Sequence, residues 1–146
     1  MYCDRIKKKL INPQPKIKIK KISKSITHID ANNSIGFVVA DIGIKKAISN
    51  AKKTGIGLVA IKNSGHYGLS GYYAEQAVKK NLIAMCFTNA PPAIAPHGAK
   101  KSLFGTNPIC FGTPTSSKVP FILDTSVSVI NRGKIRIAAK NGKKIP

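Results

Sequence analysis

Acid is what this sequence lacks most. Aspartate and glutamate number 5 against 25 lysines and arginines, a formal net charge of +20 over 146 residues. Tryptophan is absent. Arginine is scarce: only Arg5, Arg132 and Arg136 carry the planar fork suited to phosphate and base recognition. The other basic residues are lysines, often paired, spread along the chain among isoleucine and asparagine. That pattern reads as lysine drift over a solvated surface, with a non-specific affinity for polyanions. The rival reading, a catalytically dead basic module for nucleic acid or another polyanion, rests on this charge. Cysteine is limited to Cys3, Cys86 and Cys110, an odd number without metal-type spacing. Cys86 and Cys110 lie in apolar runs, where a buried thiol is expected rather than a disulfide or zinc ligand. No apolar run approaches the roughly 18 residues that span a bilayer. The N-terminus is charged from Asp4 onward and carries no signal-peptide core, so a cytoplasmic protein without membrane contact is expected. There is no Gly-x-Gly-x-x-Gly, no phosphate-loop motif and no Cys/His metal set.

What is present is alternation of short strands with helices, an α/β pattern in one domain. A short helix ends at Asn12-Pro13-Gln14-Pro15, because proline removes an amide donor and restricts its neighbour. Lysines alternate with Ile17, Ile19 and Ile22, which predicts an edge strand protected by charge. Residues 25–30 are extended, with His28 at the surface, and Asn32-Asn33-Ser34 reads as a turn. A helix to about Lys53 follows, closed by Gly55. Gly57 to Ile61 is a strand, Leu69 to Lys80 a helix and Leu82 to Phe87 a strand, together a strand–helix–strand unit. Pro91, Pro92 and Pro96 make residues 90–101 a rigid loop. Ile109–Phe111 and Phe121–Leu123 are strands, and Asp124 to Ser126 is expected to cap a helix from about Val127 to Lys140.

Two loops look like a site, since strand ends on a rigid scaffold are where α/β proteins usually place ligand chemistry. Asn63-Ser64-Gly65-His66-Tyr67-Gly68 sets an imidazole between glycines. Imidazole exchanges a proton near neutral pH, and the glycines permit close approach; a loop histidine bonded to backbone is the plainer alternative. The amides from His66 to Ser70 lead into a helix N-terminus, which favours anions such as a phosphate. Thr88-Asn89-Ala90 follows the next strand, where polar groups can orient a carboxylate or simply make a turn. Gly105-Thr106-Asn107-Pro108 reads as a tight structural turn. Asp124-Thr125-Ser126 is a helix cap or a ligand contact.

These segments also carry a resemblance. Asn63-Ser64-Gly65-His66-Tyr67-Gly68, Gly71-Tyr72-Tyr73, Thr88-Asn89-Ala90, Ala95-Pro96-His97-Gly98, Gly105-Thr106-Asn107-Pro108, Leu123-Asp124, Ser128 and Gly133-Lys134 follow in one order and spacing. The series resembles the malate/L-lactate dehydrogenase family of NAD(P)-dependent oxidoreductases, over roughly residues 2–146. The resemblance implies a non-Rossmann α/β fold, a mixed sheet with flanking helices. Residues 1–30 would form a basic N-terminal segment and residues 31–146 a cofactor-binding core. It further implies NAD or NADP as cofactor, a small 2-hydroxy or 2-oxo acid as substrate, and a homodimer when complete. By the same resemblance, His66 is the catalytic acid/base and a cofactor contact. Tyr67, Gly68, Leu69, Ser70, Asp124, Thr125 and Ser126 are further cofactor contacts, and Thr88 and Ala90 lie at the substrate. There are departures: Thr125-Ser126-Val127 replaces the common Met-Ala-Thr, Asn81 and Ala99 stand where glycine is usual, and Lys100-Lys101 fills a stretch that often holds an acid. Family members begin with a Ser-His-Gly segment and a downstream arginine and continue beyond the last motif, so this chain is expected to be a middle portion of the fold.

Overall fold

The computed structural model describes residues 2–145. Along them run α1 (Tyr2–Lys7), β1 (Lys18–Lys21), β2 (Ile26–Ser34), α2 (Gly36–Thr54), β3 (Leu58–Ser64), α3 (Ser70–Val78), β4 (Ala84–Phe87), β5 (Ile109–Thr113), β6 (Phe121–Thr125) and α4 (Arg132–Lys140). The strands form two small sheets. In the first, β1 pairs antiparallel with β2, and β2 pairs parallel with β3 through the crossover helix α2. The second, β4-β5-β6, is antiparallel throughout.

The α/β class expected from the sequence holds. The unit around α3 is different, because β3 and β4 lie in separate sheets. Helix α3 therefore links the sheets instead of crossing over within one. β4 finds its partner in β5, an antiparallel neighbour that needs no helical crossover.

Helix α2 faces two cores. Val39 and Ile42 pack with Ile29, Ala31, Val59 and Ile61 of the first sheet. Ile44 and Ile48 pack with Ala74, Ala77, Ala84 and Cys110 around α3 and the second sheet. Burying each large aliphatic side chain contributes about 1.5–3 kcal/mol. Where α3 meets β5 the approach is close and the residue there is small: a Cβ on Gly112 would lie 3.1 Å from the Cβ of Ala74.

Gly55 ends α2 as expected, with φ of 80° and its amide donating to the Ala51 carbonyl. β1 is the expected lysine-bearing edge strand, exposed throughout. His28 is exposed. Asn32-Asn33-Ser34 is not a turn but a bulge: β2 continues through it, with φ of 48° and 57° at the two asparagines. Helix α4 begins later than expected. Residues 126–130 are held by serine hydroxyl bonds, and the cap is Asn131, whose Oδ1 accepts the Lys134 amide at 2.8 Å. Asn81 takes the left-handed conformation that glycine usually fills, with φ of 57°.

Candidate functional site

Asp30 fixes the start of the first loop. Its carboxylate accepts from the Asn63 amide group at 2.9 Å and from the Asn32 backbone at 3.0 Å, and pairs with Lys62 at 3.5 Å. The two hydrogen bonds, that from Asn63 first, hold its carboxyl below the usual carboxylate range. The chain then turns at Asn63, φ 54°, towards His66. The first residue of α2 lies against this turn. A Cβ on Gly36 would stand 2.2 Å from the Gly65 carbonyl oxygen and 2.5 Å from that of His66. Only a residue without a side chain fits there.

His66 is exposed, but one of its nitrogens is committed. Nδ1 accepts the Gly68 amide at 3.2 Å and lies 2.9 Å from the Tyr2 hydroxyl. With the amide donating to Nδ1, the neutral ring carries its proton on Nε2 and the tyrosine hydroxyl also donates. The Tyr2 ring in turn meets Phe37 edge-on at 5.3 Å. Gly68 has φ of 86°, and a Cβ there would lie 2.6 Å from the Phe37 ring.

Tyr67 and Ser70 share a hydroxyl hydrogen bond at 2.8 Å, and the Tyr73 hydroxyl donates to the Tyr67 carbonyl at 2.6 Å. Burial pushes both phenols above the ordinary tyrosine range. Leu69 occupies the N-cap position of α3 and offers no side-chain acceptor. The acceptor comes from elsewhere: Asp124 Oδ2 takes the Gly71 amide at 2.7 Å. The sequence suggested a cap for the helix after Asp124, whereas its carboxylate serves the helix 53 residues earlier. A negative charge at this position complements the helix dipole.

The register of the second sheet gathers the other candidates. Phe87, Ile109 and Thr125 lie abreast. Thr88–Ala90, Thr106–Pro108 and Ser126–Val127 therefore leave one end of the sheet together. The Thr88 amide donates to the Pro108 carbonyl, and the Val127 amide to that of Thr106. Asn107 Oδ1 accepts the Ala90 amide at 2.9 Å, and a Cβ on Gly105 would lie 2.2 Å from the Ala90 carbonyl oxygen. This turn is structural, as its sequence suggested. The hydroxyls of Thr88 and Thr125 are bonded to the carbonyls of Asn89 and Ser126. Asp124, one residue inside the sheet end, ties this group to α3 and so to the loop of residues 66–70. Direct hydrogen bonds from Thr88 or Ala90 to His66 are absent among the described residues.

Beside the His66 loop lies an open groove of about 480 Å³ lined by Phe37, Asp41, Tyr67, Gly68, Leu69, Tyr72 and Tyr73. Sequence reasoning missed Tyr2, Gly36, Phe37 and Tyr72 as parts of this region. The first three come from outside the motif-bearing stretch, and only a pairing across 64 residues reveals Tyr2. Among the described residues no group of His, Cys, Asp and Glu is placed to hold a metal ion, and no helix is long and apolar enough to cross a membrane.

Comparison with known proteins agrees with the motif series. The family model described as malate/L-lactate dehydrogenase matches residues 1–146. The chain belongs to this family. It is 42% identical to a malate dehydrogenase of Pyrococcus abyssi over 145 residues, which is 99% of this chain and 40% of that relative. It is 40% identical over 125 residues to a (2R)-3-sulfolactate dehydrogenase (NADP(+)) of Chromohalobacter salexigens, covering 86% of this chain and 38% of the relative. The crystal structure of malate dehydrogenase from Entamoeba histolytica superposes with a TM-score of 0.93 at 36% identity, covering 99% of this chain and 40% of that one. The chain thus spans about 40% of the length of these family members. None of them supports the alternative of a nucleic-acid-binding module.

Proposed function

We propose that this chain forms part of an NAD(P)-dependent 2-hydroxyacid dehydrogenase acting on a small acid of the malate or lactate type. The observation that carries this reading is the bond from Gly71 to Asp124, which ties the helix following residues 66–70 to the sheet end where Thr88–Ala90 and Ser126 emerge, in a chain whose relatives are named malate and sulfolactate dehydrogenases.

The residues present fit a nicotinamide cofactor through its rings. The aromatic side chains that line the groove beside Asp41 suit a flat ring. The amide end of α3 suits a phosphate less well, because Asp124 already takes the Gly71 amide and adds a negative charge. Tyr67, Gly68 and Leu69 would hold the ring, with Thr125 and Ser126 as neighbouring polar contacts, and Ser70, buried and bonded to the Tyr67 hydroxyl, would act by fixing Tyr67. When bound, the nicotinamide supplies the hydride acceptor or donor at its C4.

The protein's part is to orient the acid and handle one proton at its C2 oxygen. In the neutral tautomer described, His66 offers Nε2–H as a donor that polarises a C2 carbonyl. Full transfer of that proton requires a second proton at Nδ1. The Gly68 amide must then release Nδ1, and the Tyr2 hydroxyl must turn from donor to acceptor. In the reverse direction the ring must start with its proton on Nδ1 and Nε2 free; Nε2 then takes the C2 hydroxyl proton while the C2 hydrogen leaves as hydride to the bound nicotinamide. Thr88 and the fixed Ala90 amide region line the substrate side.

The test is calorimetric titration of the whole chain with NADH and with NADPH, at low and moderate salt. Saturable binding of one of them that persists at moderate salt and weakens in His66→Ala is expected. Binding that disappears with salt would replace this reading with simple polyanion attraction, and salt-resistant binding that is equal in wild type and variant would remove His66 from the site.

A further inference from the structure

At the end of the first sheet far from His66, lysines enclose a space instead of merely standing on the surface. Strands β2 and β3 are parallel and both point their C-terminal ends towards the His66 loop, while α2 returns the chain to the other end. The last turns of α2 therefore lie roughly 25 Å from its start at Gly36. There a cleft of about 330 Å³ opens between α2 and the connection from β1 to β2, lined by Lys21, Lys24, Lys46, Ser49, Asn50, Lys53 and Thr54. The residues from α2 follow the i, i+3, i+4, i+7, i+8 spacing of one helix face. That spacing ordinarily carries an apolar stripe, and here every position is basic or polar. Hydrogen bonds fix the walls. Asn50, 8% exposed, donates from Nδ2 to the Thr27 hydroxyl at 3.2 Å and to the Ser25 carbonyl at 3.4 Å, which ties the helix to the connection. The Ser23 hydroxyl accepts the Ser25 and Ile26 amides at 3.2 Å and 3.1 Å, shaping the turn that carries Lys24. The Thr54 hydroxyl is bonded to the Asn50 and Ile56 carbonyls, whereas the half-buried Ser49 hydroxyl is engaged by no protein group among the described residues.

The acids of the chain lie elsewhere. Asp30, Asp41 and Glu75 pair with Lys62, Lys45 and Lys79. Asp124 takes the Gly71 amide, and Asp4 is on α1. No carboxylate lines the cleft, so its lysines repel one another across it, and a compact multivalent anion would turn that repulsion into attraction. We propose that this cleft is a binding site for a diphosphate group, with Lys21, Lys24, Lys46 and Lys53 supplying charge and the Ser49 hydroxyl a hydrogen bond. Lysine ammonium groups take phosphate oxygens as point charges. No aromatic side chain lines the cleft to stack a base, and its volume is at the lower end of small-molecule sites. The site is thus a discrete pocket for a small anion, not a face for nucleic acid. It is independent of the hydride-transfer reading. Because the charges converge on one enclosed space, binding should persist at 0.15 M salt, where the field of scattered surface lysines is screened beyond about 8 Å.

The test titrates the whole chain with sodium pyrophosphate by calorimetry at 0.15 M salt. Binding of one anion per chain is expected. Lys46→Gln with Lys53→Gln should weaken it at least ~10-fold, while Lys100→Gln with Lys101→Gln, which removes the same charge from the loop between β4 and β5, should change it less than ~2-fold. Equal weakening by both pairs, several anions per chain, or no binding at 0.15 M salt would overturn the proposal in favour of the diffuse field of a +20 chain. In amide spectra, pyrophosphate should shift Lys24, Ser25, Ser49 and Lys53 and leave His66 to Ser70 in place. The reverse pattern would move the anion to the loop read as the cofactor contact and remove the cleft as a site. ADP should bind no more tightly than pyrophosphate; a preference for ADP would overturn the assignment to the phosphate group alone.

Discussion

Gly36→Ala tests whether α2 is seated on the backbone of the His66 loop. The substituted Cβ would stand 2.2 Å and 2.5 Å from the carbonyl oxygens of Gly65 and His66, and 2.6 Å from the His66 carbonyl carbon. Ordinary contact begins at 3.4 Å, so the loop and the helix must separate by roughly 1 Å, well into the overpacked range. The obstructing atoms are backbone and cannot swing aside as a side chain would. Overpacking costs about 1–3 kcal/mol, and this case belongs at the upper end. The opposing gain from replacing glycine in a helix is at most ~1 kcal/mol and smaller at the first position. A net loss of about 2 kcal/mol follows, or roughly 4–8 °C in Tm for a domain of this size. Urea unfolding and a thermal scan read the loss, and the His66 ring resonances report displacement of the loop. Gly98→Ala is the control: φ is 76° there with open space around it, so only the left-handed strain of about 1–2 kcal/mol applies and the His66 signals stay put. If Gly36→Ala cost no stability and left the His66 signals in place, α2 would not rest on this loop.

Asp124→Ala removes the acceptor of the Gly71 amide and should cost ~1 kcal/mol by urea unfolding, while Asp124→Asn retains an acceptor and costs less. Burial pushes the thiols of Cys86 and Cys110 from 9.0 to about 11. Both are protonated in folded and unfolded chains below pH 9.0; between 9.0 and about 11 the unfolded chain ionises first. Stability should therefore fall as pH rises through that window, and the fall should flatten in the Cys86→Ala, Cys110→Ala double variant. At pH 8 a thiol reagent should modify exposed Cys3 well ahead of the other two, a ranking that mass spectrometry reads directly. Tyr2→Phe removes one donor from His66 Nδ1 but leaves the Gly68 amide. The nitrogen-15 shift of Nδ1 should move while the ring stays protonated on Nε2; a tautomer change would contradict the geometry.

Local chemistry made much of this chain legible. Gly55 marked the end of α2, the lysine–isoleucine alternation marked β1, and the prolines between residues 91 and 96 marked an irregular segment now seen pinned by the pairing of Ile94 with Phe104. The motif order marked the family. The bulge at Asn32-Asn33 was misread because consecutive asparagines signal a turn equally well; the β3 strand that carries β2 past it lies some thirty residues on. Asp124 was assigned to the helix after it, since a cap is ordinarily local, while its real partner is the amide of Gly71. The Tyr2 bond to His66 and the place of Gly36 under the loop arise from contacts between distant segments, which periodicity and turn chemistry do not encode. The apolar runs of β4 to β6 announced burial but not what lies on either side.

The two sheets end differently in sequence. β1 closes the first with Lys18, Lys20 and Lys21, a charged border that repels a neighbouring strand. β4 and β6 close the second without a lysine, arginine or proline in either, so these borders lack the residues that repel a neighbouring strand. The repulsion between +20 molecules reaches about 30 Å at 0.01 M salt and only about 8 Å at 0.15 M. Self-association through these borders is therefore expected to be easier at 0.15 M salt than at 0.01 M, a trend that light scattering reads.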